Sequence, residues 1–402
     1  MISLKSAPRW LSIAHALTQS LLILPTLMLF YGYKGISMGD FFLIQGISNL
    51  SVFFMEIPTG YIGDLFSRKK TLIIGVVCWI LGHLMWIYGS GFGWIFGGEL
   101  VFAMAIAFIS GTLEAYLYDL LKKRNKAGAF HKKYAKMKTM DNLVLMVSTL
   151  SGAFVYQFFG PTVPLWITIF CLIGTVIILC LLPDVPESKR VVTKGKSKWQ
   201  DILDISKYAV KNVEIKWLML SPALYCTLTL VLMWNLQSVM TYRELPIFVF
   251  SVIVGINAFM RMFYSSVSGK LLEKIKLSGI IKLQSTLIVM ATIAACLSLY
   301  APTWMVYVCL LIMVGGSASN VLANVSTSVL VNHRIQSDER ATILSVKSMI
   351  ARAFQGVGLM CLKPLFDGVG IAPTFMISAL LLVPILICAY HLYKMKLETL
   401  NQ

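Results

Sequence analysis

Charge is what this chain has least of. Only 13% of its 402 residues are Asp, Glu, Lys or Arg, against 57% hydrophobic. Its mean hydropathy of +0.77 excludes an ordinary soluble globular domain. The hydrophobic stretches also lack the two-residue alternation of barrel strands; they read as continuous apolar runs near helix-spanning length. Eight cysteines are present, yet none forms a CxxC pair, and all fall inside the apolar runs as small fillers, which excludes a disulfide framework. No Walker sequence and no metal-ligand cluster occurs, so the reading is no cofactor, no bound metal, no enzyme, and energy from gradients rather than ATP. Two motif matches fall away on context. His333 to Asp338 has a His-x4-Asp spacing but lies in a short loop without an accompanying domain, and the Asn324-Val325-Ser326 acceptor lies inside a run.

What is there is a series of about twelve runs long enough to cross a ~30 Å hydrocarbon layer as helices. They are expected at 10–31, 40–63, 70–90, 93–118, 139–160, 162–183, 215–240, 245–268, 279–299, 303–331, 341–366 and 371–392. The first is too long, and lacks the cleavage site, for a removable signal. Alternate loops collect the bases: Arg68, Lys69 and Lys70, the cluster from Lys122 to Lys138, most of 189–216, Lys270 to Lys276, Arg334, Arg340, Lys394 and Lys396. The opposite loops keep only Lys34, Arg243 and Lys363. That asymmetry predicts both termini on the cytoplasmic side. It also accounts for the net charge of +17, directed at anionic lipid rather than nucleic acid.

The longest polar interruption, 184–214, divides the runs into six and six: residues 1–183, a cytoplasmic linker, and residues 215–402. Within the linker, Trp199, Ile202, Leu203, Ile205, Tyr208 and Ala209 share roughly one helical face, which suits a helix lying on the membrane surface. An offset of 206 carries the stretch around Gly63, Arg68 and Lys70 onto Gly269, Lys274 and Lys276, a degenerate echo at the same topological place.

That stretch is "GYIGDLFSRKK", residues 60 to 70. It resembles the signature between the second and third helices of the major facilitator superfamily, with Gly60, Asp64, Arg68 and Lys69 in the usual places and Ser67 where glycine is common. "EIPTG" and "SGTLEAYLYD" resemble a drug/proton-antiporter-like bacterial branch. The resemblance implies an all-α polytopic membrane protein of twelve helices in two six-helix bundles, in the cytoplasmic (inner) membrane. It also implies a small-molecule substrate, proton coupling, and a monomer.

Gly60 and Gly63 permit close helix packing, Asp64 suits the positive end of a neighbouring helix, and Arg68 is in reach of Asp119. Together they read as a conformational latch made in one state only. Ionisable groups inside spans default to function, and here they are Glu56, Glu99, Glu114, Asp141, Arg261, Lys347, Arg352, His15 and His83. Depth pairs Glu56 with Lys347 or Arg352 and Asp141 with Arg261 across the halves, as gating or as static neutralisation; His83 and Glu99 pair within one hairpin. Glu114, partly desolvated, is the foremost proton-coupling candidate, with Glu56 its rival. Helices 1, 4, 7 and 10, which the resemblance places around the cavity, offer His15, Thr18, Gln19, Tyr225, Thr229, Trp234, Asn235, Ser319, Asn320, Asn324 and Thr327, some of them helix–helix glue. The expected function is proton-coupled export of a small organic solute. A carrier for an anionic metabolite, using Arg352 and Lys347, and a non-transport sensor or scaffold stand as alternatives.

Overall fold

A computed structural model describes residues 2–65, 67–110, 112–185, 213–322 and 337–394, without the side chains of 56–65, 131, 213–218, 276–278, 337–346 and 392–394. Among the described residues every regular element is a helix. In hydrocarbon a backbone has no water to bond, so these apolar runs close their hydrogen bonds within themselves. The helices are α1 (Ala7–Thr18), α2 (Leu27–Tyr33), α3 (Met38–Leu65), α4 (Arg68–Tyr88), α5 (Gly91–Ile109), α6 (Thr112–Lys122), α7 (Phe130–Phe159) and α8 (Val163–Leu181). After the linker come α9 (Val213–Tyr242), α10 (Ile247–Ser298), α11 (Thr303–Ala318), α12 (Ser337–Met360), α13 (Lys363–Val369), α14 (Ile371–Ser378) and α15 (Leu382–Lys394).

Ten stretches among the described residues are long and apolar enough to span a membrane. Two expected spans are not among them, and the reasons differ. The run at 10–31 is not one helix: α1 stops at Thr18, Leu24–Thr26 makes a short 3-10 turn around Pro25, and α2 resumes. The run at 341–366 falls in α12, whose Asp338, Glu339, Arg340, Lys347 and Arg352 lower its apolar character. Two further expectations change in detail. The run at 93–118 breaks after Ile109, and those at 245–268 and 279–299 both lie within α10. At about 1.5 Å per residue α10 would be about 78 Å long, over twice a hydrocarbon core, and its two spans end at Ile275 and begin at Gly279.

Helix ends are held by charge. Ser67 caps α4, its hydroxyl accepting from the Lys70 N–H, so this departure from the signature's usual glycine buys a helix start. Three cations each bridge two carbonyls just where a helix stops: Lys69 on Cys180 and Leu182, Lys34 on Ile87 and Gly89, and Arg243 on Leu299 and Ala301. Carbonyls at a helix C-terminus carry partial negative charge and lack intrahelical donors, which is why Lys and Arg settle there. Lys34 and Arg243 do this 53 to 55 and 56 to 58 residues ahead of their targets, the same device once in each sequence half.

The chain forms two compact units that do not follow the sequence halves strictly. The first comprises Met1–Ser37, Ser51–Thr193 and Pro246–Gly255; the second comprises Met38–Leu50, Lys194–Leu245 and Ile256–Gln402. The start of α10 therefore belongs with the first unit, where the Ser251 hydroxyl accepts from the Ala153 N–H at 2.7 Å and Gly255 sits against Leu150. The core of that unit is apolar, built on Leu11, Leu72, Tyr116, Leu117, Leu120 and Leu172.

In the second unit the start of α3 lies on α12, and Gly46 and Gly356 are the reason. A methyl on Gly46 would stand 2.7 Å from the Gly356 carbonyl, and one on Gly356 would stand 2.9 Å from the Gly46 carbonyl. Lacking side chains, the two backbones approach directly. Phe42 stacks on Phe366 with centroids 4.8 Å apart, and Phe41 meets Trp234 edge-on at 5.0 Å. Lys363 closes this contact, 2.5 Å from Asp40 and 2.8 Å from Asp367.

Candidate functional site

The interruption of the first expected span is built into the first unit rather than tolerated by it. Residues Gln19–Ile23 leave helical carbonyls without donors, and within a membrane these need partners. The Thr168 hydroxyl of α8 reaches the Ser20 carbonyl at 2.7 Å. Gly152 of α7 lets the Leu22 carbonyl come so near that a methyl there would be 2.0 Å from the oxygen. One turn before the break stands His15, and a small cavity lies beside it. Ile109 and Leu113, on either side of the α5–α6 interruption, line this cavity together with Ala14, His15, Thr18 and Thr175. Two broken helices thus meet at one place, where irregular backbone marks binding sites in transporters.

His15 is bound by a partner that the spacing of residues does not reveal. Its Nδ1 lies 2.8 Å from Oδ1 of Asp141 on α7, and both side chains are buried. The other carboxylate oxygen is 3.5 Å from Nζ of Lys138, one turn earlier. Asp141, the expected partner of Arg261 from the other half, is held within the first unit by His15 and Lys138. The imidazole lies on an adjacent helix of the same unit, and Asp141 is too deeply buried to stand unpaired.

A second carboxylate lies close by. Glu114, in the first turn of α6, accepts a hydrogen bond from the Tyr134 hydroxyl, and Lys138 Nζ stands 5.4 Å from the Tyr134 ring centroid. His15, Asp141, Lys138, Tyr134 and Glu114 form one connected series, buried at the histidine and exposed at the glutamate. The expectation of a partly desolvated Glu114 is thereby corrected. Its carboxylate is exposed, and the buried acid of the series is Asp141.

Arg68 and Asp119 are brought together as well, at 2.5 Å, with Asp119 buried. Gly60, Gly63, Asp64 and Glu56 lie on α3, but their side chains are outside the described residues, and so is the whole of Asn324 and the proposed surface helix of the linker. His83 and Glu99 do not pair: His83 Nδ1 is 2.8 Å from the Trp79 carbonyl, and Glu99 accepts from the Tyr31 hydroxyl at 2.6 Å. In the hairpin a backbone carbonyl one turn away reaches the imidazole first.

Among the cavity candidates, Thr18 returns its hydroxyl to the His15 carbonyl and receives the Gln19 amide. Tyr225 is buried with its hydroxyl 2.6 Å from Ser285, which makes it helix–helix glue. Trp234 and Asn235 are also buried, and among the described residues Trp234 Nε1, Asn235 Oδ1 and Asn320 Oδ1 have no hydrogen-bond partner. Lys347 is buried and Arg352 half-buried on α12.

The chain can now be set beside known proteins. It is 27% identical over 183 residues to an uncharacterized transporter of Buchnera aphidicola from Acyrthosiphon pisum, covering 44% of either chain. It is 28% identical over 164 residues to another from the Schizaphis graminum strain, covering 40% of either. The matches therefore span less than half the length of these curated relatives. Its fold superposes on the nucleoside transporter NupG with a TM-score of 0.79, covering 99% of this chain and 100% of that one at 14% identity. The corresponding values for an inward-facing bacterial homologue of the human lysosomal transporter Spinster are 0.70, 97%, 95% and 13%. At such identities the likeness is one of fold. The major facilitator superfamily profile matches residues 10–359, most of the chain, and this multi-pass membrane protein therefore belongs to the major facilitator superfamily of transporters.

Proposed function

We propose that the chain is a secondary active transporter that exports a small organic solute across the cytoplasmic membrane by alternating access, in exchange for protons. The two sequence bundles, 1–183 and 215–402, are the rocking parts, and 184–214 is the cytoplasmic connection between them. Gly60, Gly63, Asp64, Arg68 and Asp119 form the latch that holds one state. The monomer is the working unit, with both termini cytoplasmic.

The observation that supports this reading best is the ionic series in the first unit. A transmembrane bundle that keeps Glu114 and Asp141 in spanning segments, tied to Tyr134, Lys138 and His15, holds groups that cost stability unless they do something. Ethidium accumulation in cells tests it. Wild type is expected to accumulate less than cells without the protein, the difference vanishing with an uncoupler and in Glu114→Gln. Equal accumulation in all strains would remove amphipathic export from the reading.

Buried Lys347 on α12 favours a second reading, a carrier for an anionic metabolite with Arg352 as the other cation. Loss of transport in Arg352→Gln with transport intact in Glu114→Gln would select it.

A further inference from the structure

We propose that His15 takes up the coupling proton, at Nε2, with Asp141 as its positioning residue and Lys138 as the counter-charge that gives way. The inference rests on the proton-coupled reading above and names the group that does the coupling.

Three observations carry it. First, His15 presents two different nitrogens. Nδ1 is engaged by Asp141 at 2.8 Å, while Nε2 makes no hydrogen bond to any described residue. A carboxylate accepting from Nδ1 fixes the tautomer in which Nε2 is the basic atom. Second, the ring lines the cavity at the two helix interruptions. From α4, α5 and α8 that cavity receives only Leu72, Val76, Ile109, Thr175 and Leu179, none of which titrates. Third, the charged or titratable groups that His15 meets through the series lie on two elements: Lys138, Tyr134 and Asp141 on α7, and Glu114 on α6.

The chemistry balances simply. A proton from water adds to Nε2, the ring becomes an imidazolium, and its second N–H already faces Asp141. Loss of the same proton reverses the step, with no heavy-atom bond made or broken. The carboxylate then lies between two cations. Imidazolium is the buried one, fixed by packing, whereas the Lys138 side chain is 45% exposed and already leans over Tyr134, next to Glu114. Proton uptake therefore loosens Lys138 from Asp141 toward Glu114, moving one charge from the buried end of the series to its exposed end.

The test uses the full-length protein in nanodiscs, with ring-15N histidine; five histidines are few enough to assign by single substitution. The expected result is a His15 signal that reports protonation at Nε2 on acidification. That response should be displaced in Asp141→Asn and restored in Asp141→Glu. A His15 ring that keeps one protonation state throughout would overturn the proposal, and so would a response indifferent to Asp141→Asn. Everted vesicles supply the transport arm, with ethidium as probe. His15→Gln is expected to abolish ethidium-evoked proton movement. Proton movement retained in His15→Gln would sink the assignment and leave proton-coupled export standing. Wild-type vesicles silent to ethidium, with the ring signal as stated, would instead remove ethidium-like solutes and leave His15 assigned.

Discussion

Arg68 and Asp119 show what single residues contribute here. Asp119 is 3% exposed and its carboxylate lies 2.5 Å from the Arg68 guanidinium. Removing Arg68 takes the nearest cation from a buried carboxylate, a loss of up to about 3–5 kcal/mol. Arg68→Ala should therefore lower the thermal midpoint in detergent by several degrees, and Asp119→Asn should recover part of that loss when combined with it. A double variant whose loss equals the sum of the singles would show that the two side chains are not coupled. The same scale explains which site residues the sequence made visible. Arg68 and Asp119 sit at helix ends flanked by bases, where charge stands out against apolar runs. His15 and Asp141 are 126 positions apart on helices whose rotation about their axes spacing does not set. Depth can be counted along the sequence for each, but the facing partner cannot.

Among elements, the interrupted first span is the most informative. Composition gives it enough apolar residues to cross as one helix, and Pro25 gives a reason to stop, but the break begins six residues earlier, at Gln19. It is sustained by Thr168 and Gly152 on other helices, each of which meets a carbonyl that the break releases. Gly152→Ala would place a methyl 2.0 Å from backbone oxygen. Backbone cannot turn aside as a flexible side chain does, so the loss should reach at least the upper part of the about 1–3 kcal/mol typical of overpacking. Thr168→Val keeps the volume and removes the donor, with an expected loss of about 0.5–1.5 kcal/mol. Thermal unfolding of both variants checks the pair, and a neutral Gly152→Ala would mean that the break is not held at Leu22. The cation bridges at helix ends belong to the same scale. Arg243→Ala frees the Leu299 and Ala301 carbonyls and should destabilise by about 1–2 kcal/mol, more than Lys270→Ala at an exposed position of α10.

For the molecule as a whole, the measurable consequence of the lysine and arginine distribution is topology. Reporter fusions after residue 402 and cysteines placed near Lys34 are expected to fall on opposite sides of the membrane, the C-terminus inside. A C-terminus outside with Lys34 inside would reverse the orientation argued from the loops. The compact units add a second feature at this scale. Each incorporates the start of a helix from the other sequence half: 246–255 in the first, 38–50 in the second. Glycine marks both exchanges: Gly255 makes room for the Leu150 side chain, and Gly46 and Gly356 let two backbones approach directly.

By itself the sequence determined that this is a helical membrane protein of the major facilitator type. Solvent exclusion acts on every residue of an apolar run, and the signature at 60–70 is local. It also placed Arg68 beside Asp119, since both stand at helix ends. Only the tertiary structure decided where helices stop within a span, which cations close which helix ends, and that His15 meets Asp141 within the first unit. Those outcomes depend on which faces two helices turn toward each other, and that is settled by the packing of many apolar side chains at once. No spacing along one chain records it.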